Sequence, residues 1–392
     1  MPIPTEAEFL QRVDGLLPAL RARRDGTNEN RRVDPDTIRD FHEAGIFRIL
    51  QPKRWGGYEM HPSVFFETLI RISSACPSTG WVLGVVGVHQ WQIALFPDEA
   101  QREVWGDDAR TIASSSYMPV AKVQVVDGGY RVSGRWGFSS GSEHCQWALL
   151  GGFVPTAPDV RVPDMRTFLI PRSDYRLEDT WHTAGLEGTG SCDLVIDDCF
   201  VPEHRTHKFA DGFRCKNPGN AVNDAPVYHL PFGQIFVRSV STGAIGMLQG
   251  AIEQFQATIA ERVSRADGQK GTEDPKAQLA LANAICTLEE VKLVLFRNLS
   301  ELMDAAEQGG GLSVERRVQF RYESARAVTK SKAAVDQMIE ASGSGWFFRE
   351  NPLQRFFRDI HAAGAHYANQ VEKPGQNMGR VLSGQSTTDY FI

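Results

Sequence analysis

The sequence predicts an α+β fold, mostly α, in which a small β-domain separates an N-terminal helical domain from a C-terminal bundle of four long helices. Three changes of hydrophobic period predict it. Apolar residues recur at helical spacing up to about residue 110, then alternate with a period of two between about 111 and 215, and return to helical spacing from about 235 to the end. The boundaries read as 1–110 for the helical domain, 111–215 for the β-domain, 216–234 for a connecting segment and 235–392 for the bundle and oligomerisation surface.

Taken in order, Leu10, Val13, Leu17 and Leu20 mark one face of a first helix. Asp34-Pro35 supplies an N-cap and a first-turn proline for a second helix carrying Ile38 and Phe41, and Gly45 ends it before Ile46. Trp55-Gly56-Gly57 reads as a turn. A helical stretch from about Val64 to Ser74 leads into an apolar, glycine-punctuated one from Trp81 to Phe96. In the middle zone Val123 and Val125, then Asp127-Gly128-Gly129, then Tyr130 and Val132 spell a hairpin. Trp147–Val154, Thr167–Ile170 and Leu194–Val201 are further strands. Beyond residue 235, Ile245, Leu248, Ile252, Phe255 and Ile259 line one helix. Asp274-Pro275 opens another through Leu281, Ile285, Leu288, Val291, Leu295, Leu299 and Leu302, which stops at Gly309-Gly310-Gly311. At ~1.5 Å per residue that rod is roughly 50 Å long. A third runs from Val314 to Ile339 and closes at Ser342-Gly343. Amphipathic rods of this length pack antiparallel and share their outer apolar faces with another copy, so a homo-oligomer, a tetramer, is expected.

Composition narrows the function classes. The 392 residues carry 42 Lys+Arg against 48 Asp+Glu, a formal net charge of −6, with no basic run that would bind nucleic acid. The N-terminus lacks the charged-then-apolar layout of a signal peptide, and unbroken apolar runs fall far short of the ~18 residues that span a bilayer. A soluble, cytoplasmic protein without nucleic-acid or membrane partners is expected. Cysteines 76, 145, 192, 199, 215 and 286 show no CxxC spacing and read as reduced thiols. His204 and His207 lie three apart in a polar segment and read as solvated, so no metal site is expected.

Neither a GxGxxG turn after a strand nor a GxxxxGK[ST] loop occurs, which leaves no nicotinamide or nucleotide-triphosphate site of the usual kinds. Gly137-Phe138-Ser139-Ser140-Gly141 matches the GxSxG nucleophile elbow, but that motif requires a strand, a sharp turn and a helix. Here a second strand-like run, Trp147–Val154, follows, so the match reads as chance.

Several ordered motifs carry a resemblance. Ser78-Thr79-Gly80-Trp81, Gly87-Val88-His89-Gln90-Trp91, Ser114-Ser115-Ser116-Tyr117 and Gly134-Arg135-Trp136-Gly137-Phe138-Ser139-Ser140-Gly141 resemble the oxygenase components of two-component flavin-dependent monooxygenases with the acyl-CoA dehydrogenase fold. Leu186-Glu187-Gly188-Thr189-Gly190-Ser191 and Arg358-Asp359-Ile360-His361…His366 extend the likeness over nearly the whole chain. Members of this family hydroxylate 4-hydroxyphenylacetate and phenolic seco-steroids.

The resemblance implies an acyl-CoA dehydrogenase-like subunit that uses reduced FMN or FAD (FMNH2 or FADH2) and O2, through a C4a-hydroperoxide, to hydroxylate a phenolic or polycyclic aromatic substrate. A separate NAD(P)H:flavin reductase would supply the reduced flavin. It implies His89 and Ser115 at the substrate phenol, with Trp81 and Tyr117 lining the substrate site. An imidazole is the side chain best matched to accept a phenolic proton near neutral pH. It further implies Ser140, or its neighbour Ser139, as donor or acceptor at flavin N5. Trp136 and Phe138 would wall the isoalloxazine, His366 would manage protons, and Ser342-Gly343 could bring backbone amides to a flavin phosphate or ribityl chain, from a neighbouring subunit. The parent dehydrogenases commonly carry a catalytic Glu shortly after an Arg-Asp pair. This chain reads Ala365-His366-Tyr367-Ala368 there, with no carboxylate to abstract an unactivated proton. Nitrogen or sulfur oxygenation on the same fold, acyl-CoA dehydrogenation and a non-enzymatic helical scaffold are the competing readings.

Overall fold

The computed structural model describes residues 3–157, 163–263, 268–387 and 389–392. Five helices open the chain: α1 (Glu6–Glu29), α2 (Pro35–Ala44), α3 (Pro62–Ala75), α4 (Pro77–Ile93) and α5 (Asp98–Trp105). Their ends are written locally. Thr5 and Glu8 form a reciprocal capping box on α1. Asp34 caps α2 ahead of Pro35, and Gly45 closes it at φ +80°.

Eight strands follow: β1 (Ala113–Ser116), β2 (Lys122–Val126), β3 (Gly129–Ser139), β4 (Trp147–Val154), β5 (Asp164–Pro171), β6 (Arg176–Glu178), β7 (Cys192–Pro202) and β8 (Thr206–Lys208). They form two four-stranded sheets, ordered β1-β4-β5-β8 and β2-β3-β7-β6. The expected hairpin is β2–β3, paired from Val126↔Gly129 to Lys122↔Ser133. Val132, Trp136, Leu150, Phe168, Leu194 and Ile196 fill the space between the sheets. The serine run is strand β1, parallel to β4 with Ser115 opposite Leu149.

After the short α6 (Phe209–Arg214) come α7 (Phe232–Glu261), α8 (Pro275–Glu307), α9 (Val314–Ala341), α10 (Pro352–Ala365) and α11 (Glu372–Leu382). Helices α7 to α10 form a four-helix bundle in which α9 packs on α7, α8 and α10. The stripe predicted on α8 is buried at Val291, Leu295, Leu299 and Leu302 but emerges at Ile285, with Leu279 and Leu293 also exposed. Counting unbroken apolar runs misses α7, which is long and apolar enough to cross a bilayer. Yet 94 % of its most apolar window is buried in the protein, so core packing accounts for its composition.

One expectation fails in the β-domain. The sequence puts His204 and His207 in solvent. His207 is buried on β8, its Nε2 2.8 Å from Asn217 Oδ1. His204 Nε2 lies 2.8 Å from Glu103 on α5, with Glu99 on its other side. Pairing of β8 with β5 and the contact of His207 with Asn217 draw this polar stretch into the protein, which composition alone does not reveal.

All 17 residues of α4 are buried, because α3 and α7 cover one side and β1 the other. Close approach depends on glycine. A Cβ at Gly84 would lie 2.4 Å from the Ser239 carbonyl of α7, and one at Gly246 on α7 would lie 2.3 Å from the Ile70 carbonyl of α3. Backbone oxygens cannot swing aside as side chains do. Gly84→Ala is therefore expected to separate α4 from α7 and lower unfolding free energy by about 1–3 kcal/mol, read as a fall in urea midpoint at constant m-value.

Candidate active site

The site is assembled along α4. Its residues Trp81 and His89 are eight positions apart, which places them about 12 Å apart along the helix axis at ~1.5 Å per residue. Each end gathers its own partners.

At the C-terminal end, His89 is fully buried and its Nδ1 lies 2.7 Å from the Ala113 carbonyl of β1. A carbonyl only accepts, so Nδ1 carries the proton and Nε2 is left as an unprotonated acceptor with no protein partner. Burial lowers the imidazole pKa to about 4, so His89 is neutral at physiological pH. Alternation along β1 puts Ser115 on the same side as Ala113 and Tyr117. Tyr117 meets the His89 ring edge-on at 6.3 Å and donates its hydroxyl proton to Gln92 Oε1. Its ring also stands edge-on to Phe209, Phe232 and Phe236, with Phe391 against the last two. The sequence reading groups His89, Ser115 and Tyr117 with Trp81, which instead stands beside Ser140 at the other end of α4. It misses the phenylalanines, which come from three distant segments and carry no local signal.

At the other end, the Trp81 indole N–H donates to Ser140 Oγ at 3.2 Å. Ser140 is 2.7 Å from Ser191, and Ser191 is 2.7 Å from Thr189. Thr189 donates to the Leu186 carbonyl at 3.0 Å. His366, at the end of α10, meets the Trp81 ring edge-on at 5.7 Å. Its Nδ1 accepts from the Ala368 N–H at 3.1 Å, which leaves the ring proton on Nε2. Burial, then the charge of Arg321, lowers its pKa to about 4. The two imidazoles are thus neutral in opposite tautomers: His89 offers an acceptor and His366 a donor.

The Arg358-Asp359 pair of α10 fixes the loop at this end. Asp359 Oδ1 accepts from the Leu186 N–H at 2.6 Å, holding Leu186 at φ +50°. Arg358 donates to the Ala184 carbonyl at 2.6 Å and pairs with Glu187. The carboxylate of Asp359 is fully buried, and desolvation raises its pKa to about 6.

The remaining expected site residues are placed as follows. Trp136 is fully buried between the sheets and its Nε1 donates to the Gly151 carbonyl at 2.9 Å, so its ring is core packing and not a cofactor wall. A β-bulge between Trp136 and Ser139 explains why its neighbour differs. Phe138 sits at φ +63°, is 67 % exposed and meets Trp181 edge-on. Such backbone strain in a bulky residue persists where the fold aims a side chain. Ser342 and Gly343 terminate α9: the Ser342 hydroxyl donates to Met338 and Gly343 takes φ +68°. Within one chain that turn packs on α9 and α10, away from Ser140. Ser139 Oγ is buried with no hydrogen-bond partner, so no base addresses it and the GxSxG match is not an elbow.

Four buried polar atoms on these elements lack a protein partner: His89 Nε2, Ser114 Oγ, Ser139 Oγ and Ser142 Oγ. Such atoms are costly unless a bound molecule or water satisfies them.

Comparisons with known proteins identify the fold and the family. The family model described as "Acyl-CoA dehydrogenase, N-terminal domain" matches residues 9–109, and "Acyl-CoA dehydrogenase, C-terminal domain" matches residues 239–371. The fold is therefore that of the acyl-CoA dehydrogenase flavoenzymes. The chain is 40 % identical to the flavin-dependent monooxygenase oxygenase subunit HsaA of Rhodococcus jostii, over 98 % of this chain and 100 % of that protein. It is 33 % identical to the FADH(2)-dependent resorcinol hydroxylase oxygenase component of a Rhizobium species, over 95 % of this chain and 93 % of the relative. The crystal structure of a 3-HSA hydroxylase from Rhodococcus sp. RHA1 superimposes with a TM-score of 0.94 at 40 % identity, covering 98 % of this chain and 99 % of the other. The chain belongs to the oxygenase components of flavin-dependent monooxygenases, and it is a reduced-flavin-dependent hydroxylase of that family.

Asp359 makes the architecture testable through pH. Its folded pKa is raised to about 6 against about 3.9 unfolded, so between those values the native state holds more protons. Its favourable contribution is full below pH ~4 and is lost as pH rises through 6. Asp359→Asn keeps an oxygen for the Leu186 N–H without that ionisation. The stability of the variant relative to wild type should rise by about 2–3 kcal/mol between pH 4 and pH 7, measured by urea unfolding.

Proposed function

We propose that this oxygenase hydroxylates a phenolic ring, preferably one carried on a polycyclic or otherwise extended apolar skeleton. The observation that carries the reading is the unpaired Nε2 of the neutral, buried His89, whose ring meets Tyr117 edge-on where Tyr117 in turn meets Phe209, Phe232 and Phe236. A phenol entering there finds an acceptor for its O–H and aromatic edges for its ring. Holding the phenolic proton raises electron density at the ring positions ortho and para to the oxygen. A nearby phenolate would in turn favour the imidazolium and draw the His89 pKa upward. When bound, reduced flavin and O2 supply the electrophilic oxygen; the chain positions the ring, excludes water and holds protons. Trp81 and Ser140 would hold the flavin, and the Nε2 proton of His366 would serve the oxygen being transferred.

The names of the relatives support the finer assignments. The resorcinol hydroxylase component is named as FADH(2)-dependent, which favours FADH2 here, with FMNH2 as the alternative in the same titration. Relatives named as an oxygenase subunit or component support a separate NAD(P)H:flavin reductase as partner. The exposed Leu279, Ile285 and Leu293 on α8 support a homo-oligomer, and we propose a tetramer, to be checked by mass photometry.

Chemically reduced FADH2, 18O2 and a panel of phenols test the reading without a reductase. We expect 18O in a catechol-type product. His89→Ala should lower its yield about 100-fold or more while flavin affinity stays within about twofold. Uncoupled H2O2 across every phenol would overturn the reading; ring hydroxylation that survives His89→Ala would overturn the role given to His89. Because neutral His89 is the active form and its pKa is about 4, the acid limb of kcat/KM should fall between pH 4 and 5, not near the ordinary histidine value of about 6.5.

A further inference from the structure

The hydroxyl chain beside Trp81 has a direction, and its two ends determine it. At one end stands an indole N–H, which can only donate; at the other stands the Leu186 carbonyl, which can only accept. Three hydroxyls lie between them, each with one proton. Thr189 is 3.0 Å from the carbonyl and must donate to it, so it accepts from Ser191 at 2.7 Å. The Ser191 proton is then committed, and Ser140, also at 2.7 Å, must donate to Ser191. Every bond in the chain points the same way, an arrangement in which each bond polarises the next. Ser140 accepts from Trp81 and donates to Ser191. Its oxygen keeps one lone pair and has no proton to give.

We propose that Ser191 and Thr189 are positioning residues that hold Ser140 as a hydrogen-bond acceptor, so that the site selects reduced over oxidised flavin. The inference rests on the reading of Ser140 at flavin N5. Reduced isoalloxazine carries a proton on N5 and can donate it to the Ser140 lone pair. Oxidised isoalloxazine presents a lone pair at N5, which would face another lone pair in a buried site. The discrimination needs no charged residue and no movement of the backbone. It lies instead in two hydroxyls that need not touch the flavin. Asp359 and Trp181 steady the acceptor end, through the Leu186 N–H and the Leu186 carbonyl respectively.

Removing the far hydroxyls should free the Ser140 proton. In Thr189→Val, Ser191 loses its acceptor and can turn to donate to Ser140, which can then donate to oxidised N5. The measurement is the ratio of dissociation constants for FAD and FADH2 on the intact oligomer, the reduced arm titrated anaerobically after photoreduction. Thr189→Val and Ser191→Ala should each lower the oxidised-to-reduced ratio on the order of tenfold, mainly by tighter FAD binding. Thr189→Ser, which keeps the terminal hydroxyl, should retain the wild-type ratio. Ser191→Ala removes a single oxygen atom and carries the test if the valine variant does not fold. Wild-type preference for FADH2 with an unchanged ratio in both variants would overturn this inference and leave the proposed function standing. Absence of FADH2 binding by the wild-type protein would overturn both.

Discussion

A helix without a solvent face is the constraint on which this structure depends. Buried along its whole length, α4 must satisfy each of its polar side chains inside the protein or leave them unpaired at a cost of ~1–3 kcal/mol apiece. Most find partners from other elements. The Trp91 indole reaches the Val227 carbonyl at 2.6 Å, Gln90 reaches Thr111 at 3.1 Å, and Ser78 bridges Asn28 and the Gly188 N–H. These bonds hold α4 in register against the β-domain, the N-terminal helices and the 186–191 loop. His89 Nε2 and Gln90 Oε1 remain unpaired on the helix, and the former lies beside Tyr117. Of the two, the imidazole nitrogen belongs to the ring that meets the aromatic cluster around Tyr117, where a ligand would satisfy it.

The same helix explains how distant segments shape the chemistry. Glycines bring α7 against it, and α7 delivers Phe232 and Phe236 to Tyr117. The end of α10 delivers His366 to Trp81, while Arg358 and Asp359 grip residues 184–187 and so fix the carbonyl on which the hydroxyl chain ends. Displacing α10 would disturb the polarity of Ser140 without touching it. That linkage gives the Arg-Asp pair a structural role: it orients a loop and takes no part at the reacting atoms.

The order of zones, the β2–β3 hairpin and the three longest helices were legible because period and capping are local properties. Ser139–Ser140 and His89 were legible through resemblance, not through physical pattern. What was not legible has a common cause. Trp136 and Phe138 are two residues apart on one strand and would share a face under simple alternation, but the bulge after Trp136 breaks the alternation and sends one ring into the core and the other into solvent. The polar run at 204–208 looks solvated until β8 pairs with β5 and buries His207. The hydroxyls of Thr189 and Ser191 acquire meaning only when the 3D fold sets them between a fixed donor and a fixed acceptor.

Parent dehydrogenases commonly carry a glutamate shortly after an Arg-Asp pair, where this chain reads Ala365-His366-Tyr367-Ala368, and the electrostatics of the surroundings bear on what a carboxylate would meet there. Asp359, a few residues earlier and fully buried, has its pKa raised to about 6 although it accepts a backbone hydrogen bond. A carboxylate beside Trp81 would meet the same desolvation and would add a second lone-pair-rich anion opposite Ser140. His366, kept neutral by burial and by Arg321, offers an N–H instead. The site therefore faces its ligands with acceptors at Ser140 and His89, a donor at His366, and no formal charge among these groups. A base strong enough to abstract a carbon-bound proton is absent from this set, whereas each group can hold or return a proton on nitrogen or oxygen.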